Sequence, residues 1–171
     1  CGGGLMSAFN EFFFQTQGGG PGYHVGNSLR FRGAQYLQRT PAAAGNRTTF
    51  TWSGWVKYSD QGNDLEFLSA GSAFANYDLF RFVNNTGTYK NNLEFYSNVN
   101  AAYQRSNAKY RDPGSWYHVV GTLDTNTATA GDRLRIYING ERLNSWQGNI
   151  SLLQGRTMNY FNTTNQHRIG L

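Results

Sequence analysis

Paired carboxylates are the first feature of this sequence that could do chemistry. Glycoside hydrolysis needs two carboxyl groups that flank the scissile bond. Of the ten acidic residues, only Asp64 and Glu66 stand two positions apart in a segment with strand character, where both side chains would share one face. We interpret this pair as a solvated strand edge. A polysaccharide hydrolase is kept as a remote alternative, and the chain is expected not to be an enzyme.

Nucleophilic and metal chemistry have weaker support. No Gly-x-Ser-x-Gly motif occurs, and the three histidines lie far apart in the sequence. His118 lies inside a predicted strand and is interpreted as a structural histidine whose ring bonds a neighbouring strand. No catalytic residue and no resident cofactor are therefore predicted. Calcium stays open, because Asp60, Asn63 and Asp64 crowd one turn with hard oxygen ligands. A polar hairpin loop is the favoured interpretation of the same three residues.

Carbohydrate binding requires flat aromatic rings beside amide and carboxylate groups, and several predicted loops offer this mixture. Segments 98–103 and 159–162 contain this mixture of aromatic and amide side chains. The candidate sugar-binding residues lie in two other loops: Tyr58, Asn63, Asp64, Asn76, Tyr77 and Asp78. Aromatic residues within strands, such as Trp52, Phe80, Phe82 and Tyr137, are predicted to lie in the core.

Short strands joined by turns must position these residues. Period-two alternation predicts strands at 28–31, 33–37, 49–58, 65–70, 77–83, 93–96, 102–105, 116–124, 133–138 and 141–143. Asn139-Gly140 separates the last two and is the strongest hairpin signal, because a type I′ turn needs positive φ at both centres. Many strands at this spacing predict an all-β, antiparallel two-sheet sandwich.

The first 26 residues form a separate Gly- and Phe-rich arm. Four phenylalanines between glycine runs would not remain in water, so they must dock on this domain or on a neighbouring subunit. The predicted assembly anchor consists of Leu5, Met6, Phe9, Phe12, Phe13 and Phe14. Residues 27–171 form the second region, a single domain.

Composition excludes other classes. Aromatic residues make up 16% of the 171 residues and charged residues 15%, so disorder is not expected. The net charge of +5 comes from basic residues that are scattered singly, so nucleic acid is not a predicted partner. No apolar run approaches the roughly 20 residues of a membrane helix, so no membrane partner is predicted. The expected partners are other assembly subunits, including copies of the chain in a homo-oligomer.

Several motifs resemble one family in the same order. Phe50-Thr51-Trp52-Ser53-Gly54-Trp55-Val56-Lys57, Trp116-Tyr117-His118-Val119 and Tyr137-Ile138-Asn139-Gly140 resemble strands of concanavalin A-like and laminin-G-like jelly rolls. The resemblance covers residues 27–171 and implies a lectin-like jelly roll with an extended N-terminal arm. Related jelly rolls continue into a closing strand beyond the position of His167 to Leu171. We therefore expect this sheet to lack its closing strand, in a fragment or in a chain completed by another subunit.

A narrower resemblance suggests the kind of assembly to which the protein belongs. Leu37-Gln38-Arg39-Thr40-Pro41, together with the Phe-rich arm, resembles marine bacteriophage virion proteins in which such a domain belongs to tail fibres or surface appendages. The implied function is a non-enzymatic virion structural or surface module that is anchored through its arm and located in the extracellular particle. A host-surface glycan-binding adhesin is the alternative, on a bacterial cell surface or as a secreted protein.

Overall fold

The computed structural model describes residues 29–31, 35–57, 62–72, 76–84 and 87–170, which form two antiparallel sheets. The chain divides into the units Cys1–Arg30 and Phe31–Leu171, and all the described strands lie in the second. In chain order the strands are β1 (Leu37–Arg39), β2 (Thr49–Val56), β3 (Leu65–Ser72), β4 (Asn76–Val83), β5 (Asn92–Ser97), β6 (Ala102–Lys109), β7 (Tyr117–Asp124), β8 (Leu134–Ile138), β9 (Glu141–Arg142), β10 (Trp146–Ile150) and β11 (His167–Ile169). Short 3-10 helices lie at Gly87–Tyr89 and Ala130–Asp132.

The larger sheet has seven strands in the order β1-β11-β3-β4-β5-β6-β10, and the smaller has four in the order β2-β7-β8-β9. The two sheets face each other across the core, so the sandwich predicted from the sequence is confirmed. Among the described residues, the structure contains no helix that is long and apolar enough to cross a membrane.

Alternation within each strand divides core from surface. In β7, Tyr117, Val119 and Leu123 are buried. The alternate residues His118, Val120 and Thr122 are partly exposed. Gly121 continues the inward row, and a Cβ at this position would lie only 2.6 Å from the ring of Phe80 on the opposite sheet. The missing side chain therefore lets the two sheets approach closely at the centre of the core.

The hairpin prediction is confirmed. Asn139 has φ 51° and Gly140 has φ 87°, and Ile138 pairs with Glu141 directly across this two-residue loop. Phe80 and Phe82 are buried as predicted, and Trp52 packs against the core. The prediction for Tyr137 was wrong. This residue pairs with Val120 on the outer side of β8, between the buried Ile136 and Ile138.

The ends of the seven-stranded sheet differ from the prediction. Leu29, Arg30 and Phe31 lie outside any strand, and the opening strand begins at Leu37. Strand β11 was not predicted, and in it His167 pairs with Arg39 of β1 and with Ala70 of β3. The expectation that the sheet lacks a further closing strand stays a prediction. Strand β10 was not predicted. Residues 1–26, with the anchor phenylalanines, lie outside the described part of the chain.

The ring of His167 stabilises the loop before β11 through two polar contacts. Its Nε2 accepts a hydrogen bond from the backbone N–H of Asn162 at 3.0 Å, and its Nδ1 lies 2.9 Å from the carbonyl oxygen of Asn165. Because the Asn162 amide can only donate, the imidazole is neutral, with its proton on Nδ1. Burial lowers the pKa of His167 below its usual value. A charged His167 would lose the bond from Asn162.

This arrangement predicts a pH dependence of stability. Since the folded-state pKa of His167 lies below the unfolded value of about 6.5, its contribution is complete above that pH. The contribution is lost as the pH falls through the folded-state pKa. Urea unfolding between pH 8 and pH 5 should show this decline, and His167→Gln, which can still accept from Asn162, should flatten it. Equal pH slopes in the two proteins would refute this role of His167.

Candidate functional site

Two rows of side chains cross the outer face of the seven-stranded sheet, the face opposite the core. Residues that pair directly across antiparallel strands share a face. The pairs Glu66–Arg81, Arg81–Glu94 and Glu94–Arg105 therefore place four charges in one row across β3, β4, β5 and β6. We call these four residues the charged row. Its signs alternate strictly from strand to strand.

Glu94 is the centre of the charged row. Its side chain is 0% exposed, and it accepts one hydrogen bond from Arg81 Nε at 2.7 Å and another from Arg105 Nη2. Arg81 also donates from Nη1 to Asp64 Oδ2 at 2.8 Å. The other oxygen of Asp64 accepts the backbone N–H of Asn84 at 2.8 Å. The two arginines are thus held in place by carboxylates on neighbouring strands.

The electrostatics match this geometry. Burial disfavours the charged form of Arg81, but the carboxylates of Glu94 and Asp64 outweigh burial and raise its pKa above the usual value. Burial raises the pKa of Glu66, although the nearby Arg81 partly offsets the effect. Three members of the charged row, Arg81, Glu94 and Arg105, are therefore fixed by ion pairs.

Tyrosines form the second row beside these charges. Tyr96 pairs with Tyr103 across β5 and β6, and the ring centroids of Tyr77 and Tyr96 are 5.9 Å apart. The guanidinium carbon of Arg105 lies 3.9 Å from the ring centroid of Tyr89 and 5.3 Å from that of Tyr103. We call Tyr77, Tyr89, Tyr96 and Tyr103 the tyrosine row. All four rings are half-buried. Two of them, Tyr89 and Tyr103, also make cation–π contacts with Arg105.

Gly148 of β10 leaves room for the ring of Tyr103. It pairs with Arg105 on the neighbouring strand, and a Cβ at this position would lie 2.8 Å from the Tyr103 ring. Any larger residue would therefore push the ring away from the sheet. The absence of a side chain at Gly148 keeps the Tyr103 ring against the strand surface, beside Arg105.

The predicted sugar-binding residues are divided by the structure. Tyr77 belongs to the tyrosine row, and Asp64 reaches the charged row through Arg81. Asn63 is exposed in the loop before β3, and Asn76 is exposed at the first position of β4. Tyr58 lies outside the described residues. The structure therefore brings two of the six candidates, Asp64 and Tyr77, to one face.

Asp78 requires a correction. It is 0% exposed, and Oδ2 accepts the backbone N–H groups of Tyr160 and Phe161 at 2.9 and 3.1 Å. Its Oδ1 accepts the hydroxyl of Ser97 at 2.5 Å. Burial raises the pKa of this carboxyl, and the three hydrogen bonds oppose that rise. Asp78 points to the side of β4 opposite Tyr77, where it ties down the loop before β11 and cannot meet a ligand.

The calcium candidates are only partly described. Asp60 lies outside the described residues, and both carboxylate oxygens of Asp64 already serve Arg81 and Asn84. Within the part of the chain that the structure describes, no group of three or more His, Cys, Asp or Glu side chains could hold a metal ion.

Most residues of the charged row and the tyrosine row were not predicted from the sequence. Arg81, Glu94, Tyr96 and Arg105 carry much of the two rows, and none of them was a predicted site residue. Tyr103 was included only as the end of the candidate segment 98–103. The available signal was the alternation in Leu93-Glu94-Phe95-Tyr96 and Tyr103-Gln104-Arg105, where every second residue is charged or tyrosine. Such a pattern marks an outer face but does not say which strands are neighbours.

The family comparison agrees with the two-sheet architecture. The family model Laminin_G_3, described as the concanavalin A-like lectin/glucanases superfamily, matches residues 31–167. Among curated proteins, none matches the chain. Two solved structures resemble it at low identity. Domains LG4-5 of the mouse laminin alpha1 chain share 12% identity with a TM-score of 0.49, over 81% of this chain and 32% of that one.

The second structure is the native heptameric SAP-like pentraxin from Limulus polyphemus, with 15% identity and a TM-score of 0.43. The match covers 78% of this chain and 56% of the pentraxin chain. This chain therefore spans about a third of the length of the laminin structure and just over half of the pentraxin.

Proposed function

This chain belongs to the concanavalin A-like lectin/glucanase superfamily, and from that membership we propose that it binds a glycan without cleaving it. The binding surface is the outer face of the seven-stranded sheet. The observation that carries this proposal is the adjacency of the tyrosine row and the charged row, which combines aromatic rings with fixed hydrogen-bonding groups on one face.

Sugar rings need both kinds of group. Their C–H faces pack on aromatic rings, and their hydroxyls hydrogen-bond to charged side chains more strongly than to neutral ones. Tyr96 and Tyr103 supply adjacent rings, while Arg81 and Arg105 supply donors that Glu94 holds in position. Because these groups are already ordered by the sheet, binding loses little side-chain entropy.

The state of the acids favours binding over hydrolysis. A glycosidase needs one carboxylic acid to protonate the leaving oxygen and a second carboxylate to act as base or nucleophile. Asp64 and Glu94 both form ion pairs with arginine, so their oxygens are already engaged by protein groups. Burial raises the pKa of Glu66, the third acid described on this face. Among the described residues there, the other two acids, Asp64 and Glu94, are ion-paired with arginine, so Glu66 has no unpaired carboxylate to work with.

The setting predicted from the sequence is a virion surface or tail-fibre module, held in the particle through residues 1–26. The anchor lies outside the described part of the chain, and this setting stays a prediction. Glycan binding on the sheet is compatible with that setting and with a cell-surface adhesin.

Replacing Tyr96 with alanine tests the proposed surface. A glycan array supplies the ligand, and calorimetry with wild type and variant measures its affinity. Tyr96→Ala should weaken binding about tenfold, because loss of one stacking ring removes roughly 1.4 kcal/mol. Tyr96→Phe keeps the ring and is the matched control, expected within about threefold of wild type. Equal affinities for wild type and Tyr96→Ala, or no array glycan bound at millimolar concentration, would refute the proposal.

A further inference from the structure

The outer face of the four-stranded sheet carries two exposed indole rings. Trp55 on β2 is 62% exposed, and Trp116, just before β7, is 47% exposed. Trp55 pairs with His118 across the two strands. Trp116 stands two residues before His118, and continuing the alternation of β7 by one residue would put it on the same face. We call Trp55, Trp116 and His118 the indole patch.

Packing in the core does not explain Trp55. Trp52 of the same strand faces inward, where its ring stacks on Phe67 at 5.4 Å and on Phe80 at 6.3 Å. The other outward positions of β2 are Thr49, Thr51 and Ser53. A small hydroxyl residue at position 55 would complete that outward row and avoid the cost of exposing a large apolar ring. Trp55 therefore calls for a partner outside the domain core.

His118 holds the Trp55 ring in place. The two ring centroids are 4.9 Å apart with an interplanar angle of 31°, and His118 Nε2 lies 2.9 Å from the hydroxyl of Ser53. The backbone N–H of His118 also donates to Asn139 Oδ1 at 2.9 Å. These contacts confirm His118 as a structural histidine that bonds a neighbouring strand. They fix one side of the indole and leave most of the ring to solvent.

The size of the indole patch identifies the class of partner. With at most ~250 Å² per aromatic side chain, the exposed parts of Trp55 and Trp116 amount to roughly 250–300 Å². A stable protein–protein interface needs about 800 Å² per partner. The surrounding outward residues of β2 carry hydroxyl groups rather than apolar ones. This area suits one or two sugar rings better than a second copy of the chain.

We propose that the indole patch is a second glycan-contact site, in which Trp55, held by His118, stacks against a pyranose ring. The ligand class follows the proposed function, but the site is independent of it and lies on the opposite face of the sandwich. A domain with two such faces binds two glycan segments at once. One particle-borne or cell-borne copy would then bridge neighbouring glycan chains, with a gain in avidity.

The test uses hexasaccharides of β-1,4-glucose, β-1,3-glucose and β-1,4-linked N-acetylglucosamine as probes. Calorimetry should give two sites per wild-type chain and one site for Trp55→Ala. Thr51→Ala, a smaller change on the same exposed row, is the matched control and should keep two. Trp55→Ala should fold normally, because its ring is mostly in water, and urea unfolding verifies this.

The two proposals fail in different ways. If Tyr96→Ala leaves the affinities of both sites unchanged while Trp55→Ala lowers the stoichiometry, the indole patch stands and the seven-stranded face does not. An unchanged stoichiometry in Trp55→Ala, or no binding of any of the three hexasaccharides at millimolar concentration, overturns the inference. A concentration-dependent dimer in sedimentation velocity that Trp55→Ala abolishes would also overturn it, and would make the patch a contact between copies.

Discussion

Glu94→Gln should lower the free energy of unfolding by about 3 kcal/mol, because it leaves two largely buried arginines without their shared carboxylate. Glu94 is 0% exposed, and the side chains of Arg81 and Arg105 are 21% and 15% exposed. Glutamine keeps one acceptor oxygen but carries no charge. The penalty lies at the lower end for a broken buried pair, since both arginines keep some contact with water. Urea unfolding at pH 7 measures it.

Glu141→Gln is the matched control for this change. Glu141 lies on β9, is exposed, and pairs with Ile138 at the end of the hairpin. The same substitution there should change the free energy of unfolding by less than about 0.5 kcal/mol. If the two variants had similar stability, Glu94 would not be the centre of the charged row, and the fixed positions of both arginines would need another explanation.

Asp78→Ala should lower the free energy of unfolding by about 3–5 kcal/mol, since a buried donor without its acceptor costs roughly 1–3 kcal/mol. Three donors lose their partner in this variant: the amides of Tyr160 and Phe161 and the hydroxyl of Ser97. Phe161 packs in the core against Phe50 and Phe80. The loop before β11 should therefore loosen as well, which amide hydrogen exchange can follow.

Asp78→Asn separates the hydrogen bonds from the charge. The amide oxygen can still accept from Tyr160 and Phe161, and the amide nitrogen can donate to Ser97. Because burial raises the pKa of Asp78, the folded protein favours a neutral group at this position more than the unfolded chain does. We expect Asn to lose less than half of what Ala loses. Equal losses in the two variants would contradict the hydrogen-bonding role.

The local features of this fold were predictable from the sequence, and the hairpin shows why. Asn139 and Gly140 accept positive φ at low cost, so two adjacent residues determine the turn and the pairing of β8 with β9. Strong alternation likewise identified β2 and β7, whose inward and outward residues differ in type. Such signals need no knowledge of distant partners.

Strands β10 and β11 were not predicted, because they form through pairing with neighbouring strands and not through local strand propensity. Trp146–Ile150 contains Gln, Gly and Asn, which have low strand propensity, and its pairing with β6 includes an irregularity between Trp146 and Gly148. His167–Ile169 is only three residues long and is held between β1 and β3. In both cases the hydrogen bonds come from strands that are distant in the sequence.

The candidate site was harder to predict for a related reason. The predicted site residues were expected mostly in loops. Most of the two rows lies within strands, and the rows form only when β3, β4, β5 and β6 pair. Register irregularities between Glu66 and Leu68 and between Asn92 and Glu94 also shift which residues face outward. Ordinary alternation adds to the difficulty, because Tyr77 and Asp78 are neighbours in sequence and yet lie on opposite faces of β4.

Mapping a bound glycan onto individual residues tests the central claim most directly. The measurement is a heteronuclear NMR titration of the isotope-labelled chain with a glycan that binds on the array. Glycan binding on the outer face of the seven-stranded sheet predicts the largest shift changes at Tyr77, Tyr96 and Tyr103 and at the side chains of Arg81 and Arg105. A glycan that binds tightly while all five residues keep their shifts would contradict the claim.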